Sequence, residues 1–85
     1  MAEWIKRNNS AGSDLRVSAA LRISTTDQTY RGRGWVWHVC VDHTYGNDAL
    51  AQSGDCATEE EAQAEGIKWV RRFCEEALIS LKEIA

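Results

Sequence analysis

Trp35, Trp37, Val39 and Val41 occupy every second position of the stretch 33–42, and this alternation constrains the chain more than any other feature. Successive side chains of an extended strand point to opposite faces, so these four share one face of a strand. Each tryptophan can remove ~150–250 Å² from water. Whatever covers that face forms the core, and the long amphipathic stretch near the end of the chain is suited to do so.

Thr58-Glu59-Glu60-Glu61 has the form of a capping box, in which the Thr58 hydroxyl and the Glu61 side chain satisfy exposed backbone amides at a helix start. No proline follows, and Ala62, Gly66, Trp69, Val70, Phe73, Cys74, Ala77, Leu81 and Ile84 share one side of a helical projection. A helix over 59–84 would be ~38 Å long against ~33 Å for a ten-residue strand. Its C-terminal end is therefore expected to overhang, while Phe73 is expected in one apolar cluster with Trp37.

Upstream, Leu15, Val17, Ala19, Leu21 and Ile23 alternate with polar or small residues, which predicts one strand over 15–23. Its two near-repeats, Leu15-Arg16-Val17-Ser18 and Leu21-Arg22-Ile23-Ser24, are six residues apart, so both keep the same face inward. Residues 25–32 read as a hairpin loop, 43–48 as a turn, and 49–53 as a short third strand. Trp4 and Ile5 belong either to a short edge strand or to a mobile arm, followed by a polar turn over 8–13. The expected fold is α+β: a three-stranded antiparallel β-meander packed against one long C-terminal α-helix, β-β-β-α. A single domain spans 1–85, with the arm or edge strand in 1–13, the sheet in 14–54 and the helix in 58–84.

Eighty-five residues leave no room for a separate catalytic domain. No apolar run approaches the ~18 residues of a membrane span, and the first residues lack the apolar stretch of a secretory signal. A cytoplasmic location is expected, with Cys40, Cys56 and Cys74, an odd number, as reduced buried thiols. The net charge of −3 conceals an asymmetry, because residues 34–67 hold no Lys or Arg and seven acids. A surface of one sign repels nucleic acid and attracts basic partners.

Asp48, Asp55, Glu59, Glu60 and Glu65 are therefore the candidate partner-binding residues, with Glu61 reserved for the cap. Glutamates at a helix N-terminus also favour the helix itself. Leu78 and Ile79, apolar at and within the charged side of the helix, are the candidate contact of a homodimer. Two other classes stay open. Arg16, Arg22, Arg31 and Arg33 would make a small RNA- or DNA-binding domain if they converged on one face beside Tyr30. His38 and Cys40, with Asp42 and His43, would make a small enzyme or metal-binding protein if a cleft surrounded them. Neither Cys-x-x-Cys nor His-Glu-x-x-His spacing occurs, so no metal, cofactor or catalytic residue is assigned.

Gly34-Trp35-Val36-Trp37 opening a strand, Gly54 closing another, and Ala57-Thr58-Glu59-Glu60-Glu61-Ala62 starting a terminal helix that contains Trp69 give a layout over about residues 33–72. This layout resembles small proteins encoded by phages and other mobile elements, several anti-CRISPR proteins among them. The resemblance implies a short, acidic, non-enzymatic inhibitor. Its acids would stand in for nucleic-acid phosphates against a basic groove on a host complex.

Overall fold

A computed structural model of the chain describes residues 3–8 and 12–84. In order, the elements are β1 (Trp4–Lys6), β2 (Gly12–Arg16), β3 (Leu21–Asp27), a 3₁₀ turn (Thr29–Arg31), β4 (Trp35–His43), β5 (Gly46–Cys56) and α1 (Glu59–Ile84). The strands form one antiparallel sheet in sequence order, and α1 packs on β3 and β4 and touches β5. The layout is α+β as expected, but the sheet has five strands rather than three.

The single strand expected over 15–23 is two strands, because the chain reverses at residues 17–20. The Val17 N–H donates to the Leu21 carbonyl at 2.9 Å, and the Leu21 N–H donates to Ser18 Oγ at 3.2 Å. The near-repeat thereby folds back on itself, with Leu15 opposite Ile23 and Arg16 opposite Arg22. Polar residues where a loop was expected prolong β3 instead: Thr25 is fully buried, and its hydroxyl pairs with Ser13 Oγ at 3.0 Å. Trp4 belongs to the edge strand β1, opposite Leu15. Of the turn expected over 8–13, residues 9–11 lie outside the described residues.

The expected third strand, 49–53, is the middle of the eleven-residue β5. The hairpin is tighter than expected, with His43 paired to Gly46 across Thr44 and Tyr45. Register shifts opposite Trp35/Trp37 and opposite Val39/Cys40 mark irregularities in the β4–β5 pairing. At the first, Asp55 takes the left-handed conformation (φ 66°), which aspartate tolerates better than most residues.

The helix begins where the capping box places it. The Glu61 N–H donates to Thr58 Oγ1 at 3.1 Å, and Glu61 Oε2 accepts the Ala57 N–H at 3.1 Å. Glu59, Ala62, Gly66 and Val70 face inward. At Gly66 a Cβ would come within 2.6 Å of Ile23 Cγ2, so the absent side chain lets α1 approach β3 closely. Leu15, Ile23, Trp37, Val39, Cys56, Ala62 and Val70 make the core, flanked by Trp4, Leu21, Trp35, Ala51, Ile67 and Trp69.

Beyond Val70 the helix leaves the sheet, and every described side chain over 71–84 is exposed. The apolar stripe expected to meet the sheet therefore does so only as far as Val70. Phe73 does not join Trp37 in the core: it is 44% exposed and stacks on Trp69 with ring centroids 5.2 Å apart. The overhang gives the molecule extents of 48 × 27 × 24 Å.

Candidate functional site

Asp55, Glu60, Glu61 and Glu65 are exposed around the corner where β5 passes into α1. Asp55 accepts the Gly34 N–H at 3.4 Å and lies 3.8 Å from Arg33 Nε, so part of its charge is answered locally. The Cys56 thiol sits buried beneath this corner; desolvation first, then the charges of Glu61, Glu65 and Asp55, raise its pKa. Asp48 is not among them. It stands at the other end of β5, ~20 Å away at the rise of a strand, with His43 Nε2 3.3 Å from its carboxylate.

Glu59, grouped with the surface acids on sequence, points inward and is 9% exposed. Its carboxylate pairs with the Lys6 ammonium and accepts from Ser13 Oγ at 3.2 Å and Thr25 Oγ1 at 3.5 Å. Gln63 Nε2 donates to the same Ser13 hydroxyl at 3.1 Å. A buried charge persists only when its oxygens are answered in this way. The network ties β1, β2 and β3 to the first turn of the helix. A sequence signal existed: Glu59 precedes Ala62, Gly66 and Val70 by three, seven and eleven positions, on the buried stripe.

The face of the sheet away from α1 carries a second charged network. Arg22 grips Asp42 with two hydrogen bonds, Nη2 to Oδ1 at 2.9 Å and Nε to Oδ2 at 3.2 Å, and Arg16 donates to Oδ2 at 2.5 Å. The two guanidiniums hold the Asp42 carboxyl at about 2, and the hydrogen bond to Asp42 raises Arg22 in turn. Ser24 Oγ and Arg7 Nη1 donate to Asp14 at 2.6 and 2.7 Å, and Arg7 also reaches the Thr25 carbonyl. Asp42, expected beside His38 and Cys40 in a metal or catalytic group, is thus an acceptor for arginines.

His38 does lie on that open face. With Gln28, Arg31, Arg33, Val36, Gln52 and Ser53 it lines a shallow hollow. Burial lowers the His38 pKa, a hydrogen bond with Gln52 opposes the shift, and the nearby charges of Arg7, Arg22 and Arg33 lower it further. Cys40 is buried and Cys74, expected to be buried, is exposed; all three cysteines are free. Among the described residues no three His, Cys, Asp or Glu side chains converge as a metal ion would need. Arg16, Arg22, Arg31 and Arg33 share the open face, but in two groups: the first two bind Asp42, whereas Arg31 and Arg33 border the hollow.

Leu78 and Ile79 are each 59% exposed, as are Leu81 at 59% and Ile84 at 82%. No helix among the described residues is long and apolar enough to cross a membrane. By architecture the chain is a small α+β domain, a five-stranded antiparallel meander with one helix that outruns it. No protein-family model, curated protein or solved structure matches it.

Proposed function

We propose that this chain is a non-catalytic protein-binding module that docks an acidic surface onto a basic groove of its partner. The observation that carries the reading is the grouping of Asp55, Glu60, Glu61 and Glu65 at exposed positions around the start of α1, in a stretch without Lys or Arg. The partner class is a host nucleic-acid-binding complex, with the carboxylates occupying the place of phosphates, as in the phage-encoded inhibitors the layout resembles. The setting is the cytoplasm, in keeping with three free thiols.

The test starts from affinity capture with the wild-type chain and measures the recovered complex by calorimetry. Reversing Asp55, Glu60 and Glu65 together to Lys should weaken binding by about tenfold or more and flatten its salt dependence, as for complementary rim charges. A nucleic acid that binds the partner should compete with the wild-type chain. Unchanged affinity in the triple variant at moderate salt overturns the reading.

One observation favours a second reading, a small RNA- or DNA-binding domain. Arg31 and Arg33 border a hollow with Gln28, His38 and Gln52 on the open sheet face. Fluorescence anisotropy with a labelled single-stranded oligonucleotide distinguishes it, since phosphate contacts give a steep salt dependence. Binding lost in Arg31→Ala and Arg33→Ala would favour the second reading over the first.

A further inference from the structure

The loop between β3 and β4 holds two arginines in a fixed frame. The Gln28 carbonyl accepts the N–H groups of Arg31 and Arg33 at 3.0 and 3.2 Å, and the Gln28 N–H donates to the Gly34 carbonyl at 3.1 Å. The acid at the start of this loop, Asp27, is taken up by the Thr29 N–H and hydroxyl at 2.9 and 2.6 Å. At Gly54 a Cβ would come within 2.7 Å of Arg33 Nη2, so the guanidinium crosses β5 where the strand has no side chain. Its Nε faces Asp55 at 3.8 Å, beyond hydrogen-bond range.

Arg31 rests on Tyr30, with Cζ 5.5 Å from the ring centroid, and makes no ion pair among the described residues. Arg16 and Arg22, by contrast, donate to Asp42, and Arg7 donates to Asp14. The loop thus brings to the hollow the two open-face arginines that no carboxylate grips. Gln28, His38 and Gln52 add hydrogen-bonding side chains around the buried Val36, and the hollow measures about 280 Å³.

We infer that this hollow binds a phosphate monoester, with Arg31 and Arg33 engaging its oxygens. A guanidinium fork matches phosphate oxygens with two parallel hydrogen bonds. Two such cations suit a group that carries about −1.5 to −2 at neutral pH, whereas a carboxylate or a bridging diester offers a single charge. The hollow falls below the ~300–1,000 Å³ of pockets that enclose a drug-sized ligand. It therefore holds the charged head and leaves the rest of the ester in solvent.

A single strand would need a basic track with aromatic platforms along it. Here the neighbouring arginines are bound to Asp42 and Asp14, and among the described residues no Trp, Tyr or Phe lines the hollow. The site asks less than the oligonucleotide reading above and does not rest on the acidic docking.

Amide chemical shifts of the 15N-labelled chain test the site. Titration with adenosine 5′-monophosphate should move the signals of residues 28–34 and 52–53 in a saturable way, with a millimolar dissociation constant in keeping with so shallow a hollow. Inorganic phosphate should move the same signals, and adenosine should move none. Arg31→Ala and Arg33→Ala, both at exposed positions, should each weaken binding at least about fivefold. Arg72→Ala removes an equal charge from the exposed side of α1 and should leave binding unchanged. A 5′-phosphorylated oligonucleotide, compared with its 5′-hydroxyl form, separates the sources of the phosphate. Tighter binding than the mononucleotide identifies a strand end and equal binding a free ester, and both support the site. Equal binding of the two oligonucleotides overturns the inference in favour of strand recognition. It is also overturned by an equal loss in Arg72→Ala, or by the absence of saturable shifts with either phosphate.

Discussion

A carboxylate tucked between a helix and a sheet is costly unless its oxygens find donors. Glu59 finds three: the Lys6 ammonium and the hydroxyls of Ser13 and Thr25. Lys6 is 68% exposed, so without Glu59 it returns to water, whereas the two buried hydroxyls lose their carboxylate acceptor and keep each other, Gln63 and the Ser13 backbone. Glu59→Ala should therefore destabilise the chain by about 1–3 kcal/mol, measured as a fall in the urea midpoint at constant slope. Glu60→Ala, on the next and exposed position, should leave the midpoint nearly unchanged. Equal effects would mean that Glu59 acts only as a first-turn acid. On sequence Glu61 is set apart as the cap while Glu59 and Glu60 read alike as surface acids; burial separates those two, because the helix is rotated to lay its small residues on β3.

The strand pairing of β2 and β3 sets Arg16 beside Arg22, a like-charge pair that destabilises a sheet when unanswered. Asp42, from β4, accepts from both and so makes that register tolerable. The consequence is pH-dependent with a definite sign. The folded Asp42 carboxyl titrates at about 2, below the ~3.9 of an unfolded aspartate. The folded state then binds fewer protons in that interval, so the stabilisation is fully present above pH ~4 and is lost as pH falls through about 2. Asp42→Asn should lower the thermal midpoint at pH 7, and the gap from wild type should close as the pH approaches 2. A gap that persists at pH 2 would show that the carboxylate charge is not what matters.

At the scale of the whole molecule, the radius of gyration of 14.0 Å exceeds the ~12 Å expected of a compact chain this long, and the overhanging helix is the reason. Stability is accordingly concentrated in the sheet and in the first half of α1. Ile23→Ala, at a fully buried side chain against Gly66, should cost about 2–5 kcal/mol. Phe73→Ala removes only a half-exposed ring stacked on Trp69 and should cost less than ~1.5 kcal/mol. Chemical denaturation of both variants checks the contrast. A Phe73→Ala loss as large as that of Ile23→Ala would place the ring in the core after all.

Local chemistry was legible without tertiary structure. The tryptophan alternation marks β4, and the box at Thr58 marks the start of α1, because strand faces and helix caps are determined by residues a few positions apart. Strand count was not legible. The alternation over 15–23 continues unbroken through a reversal, and the polar run after Ser24 becomes strand because Ser13 and Glu59, distant in sequence, supply its hydrogen-bond partners. The acidic surface was legible as composition only. Which acids face solvent, which one turns inward and which stands at the far end of β5 depends on helix rotation and strand length. The extent of the overhang is likewise a tertiary property: the periodicity of α1 runs on to Ile84, but the sheet beneath it ends at Val70.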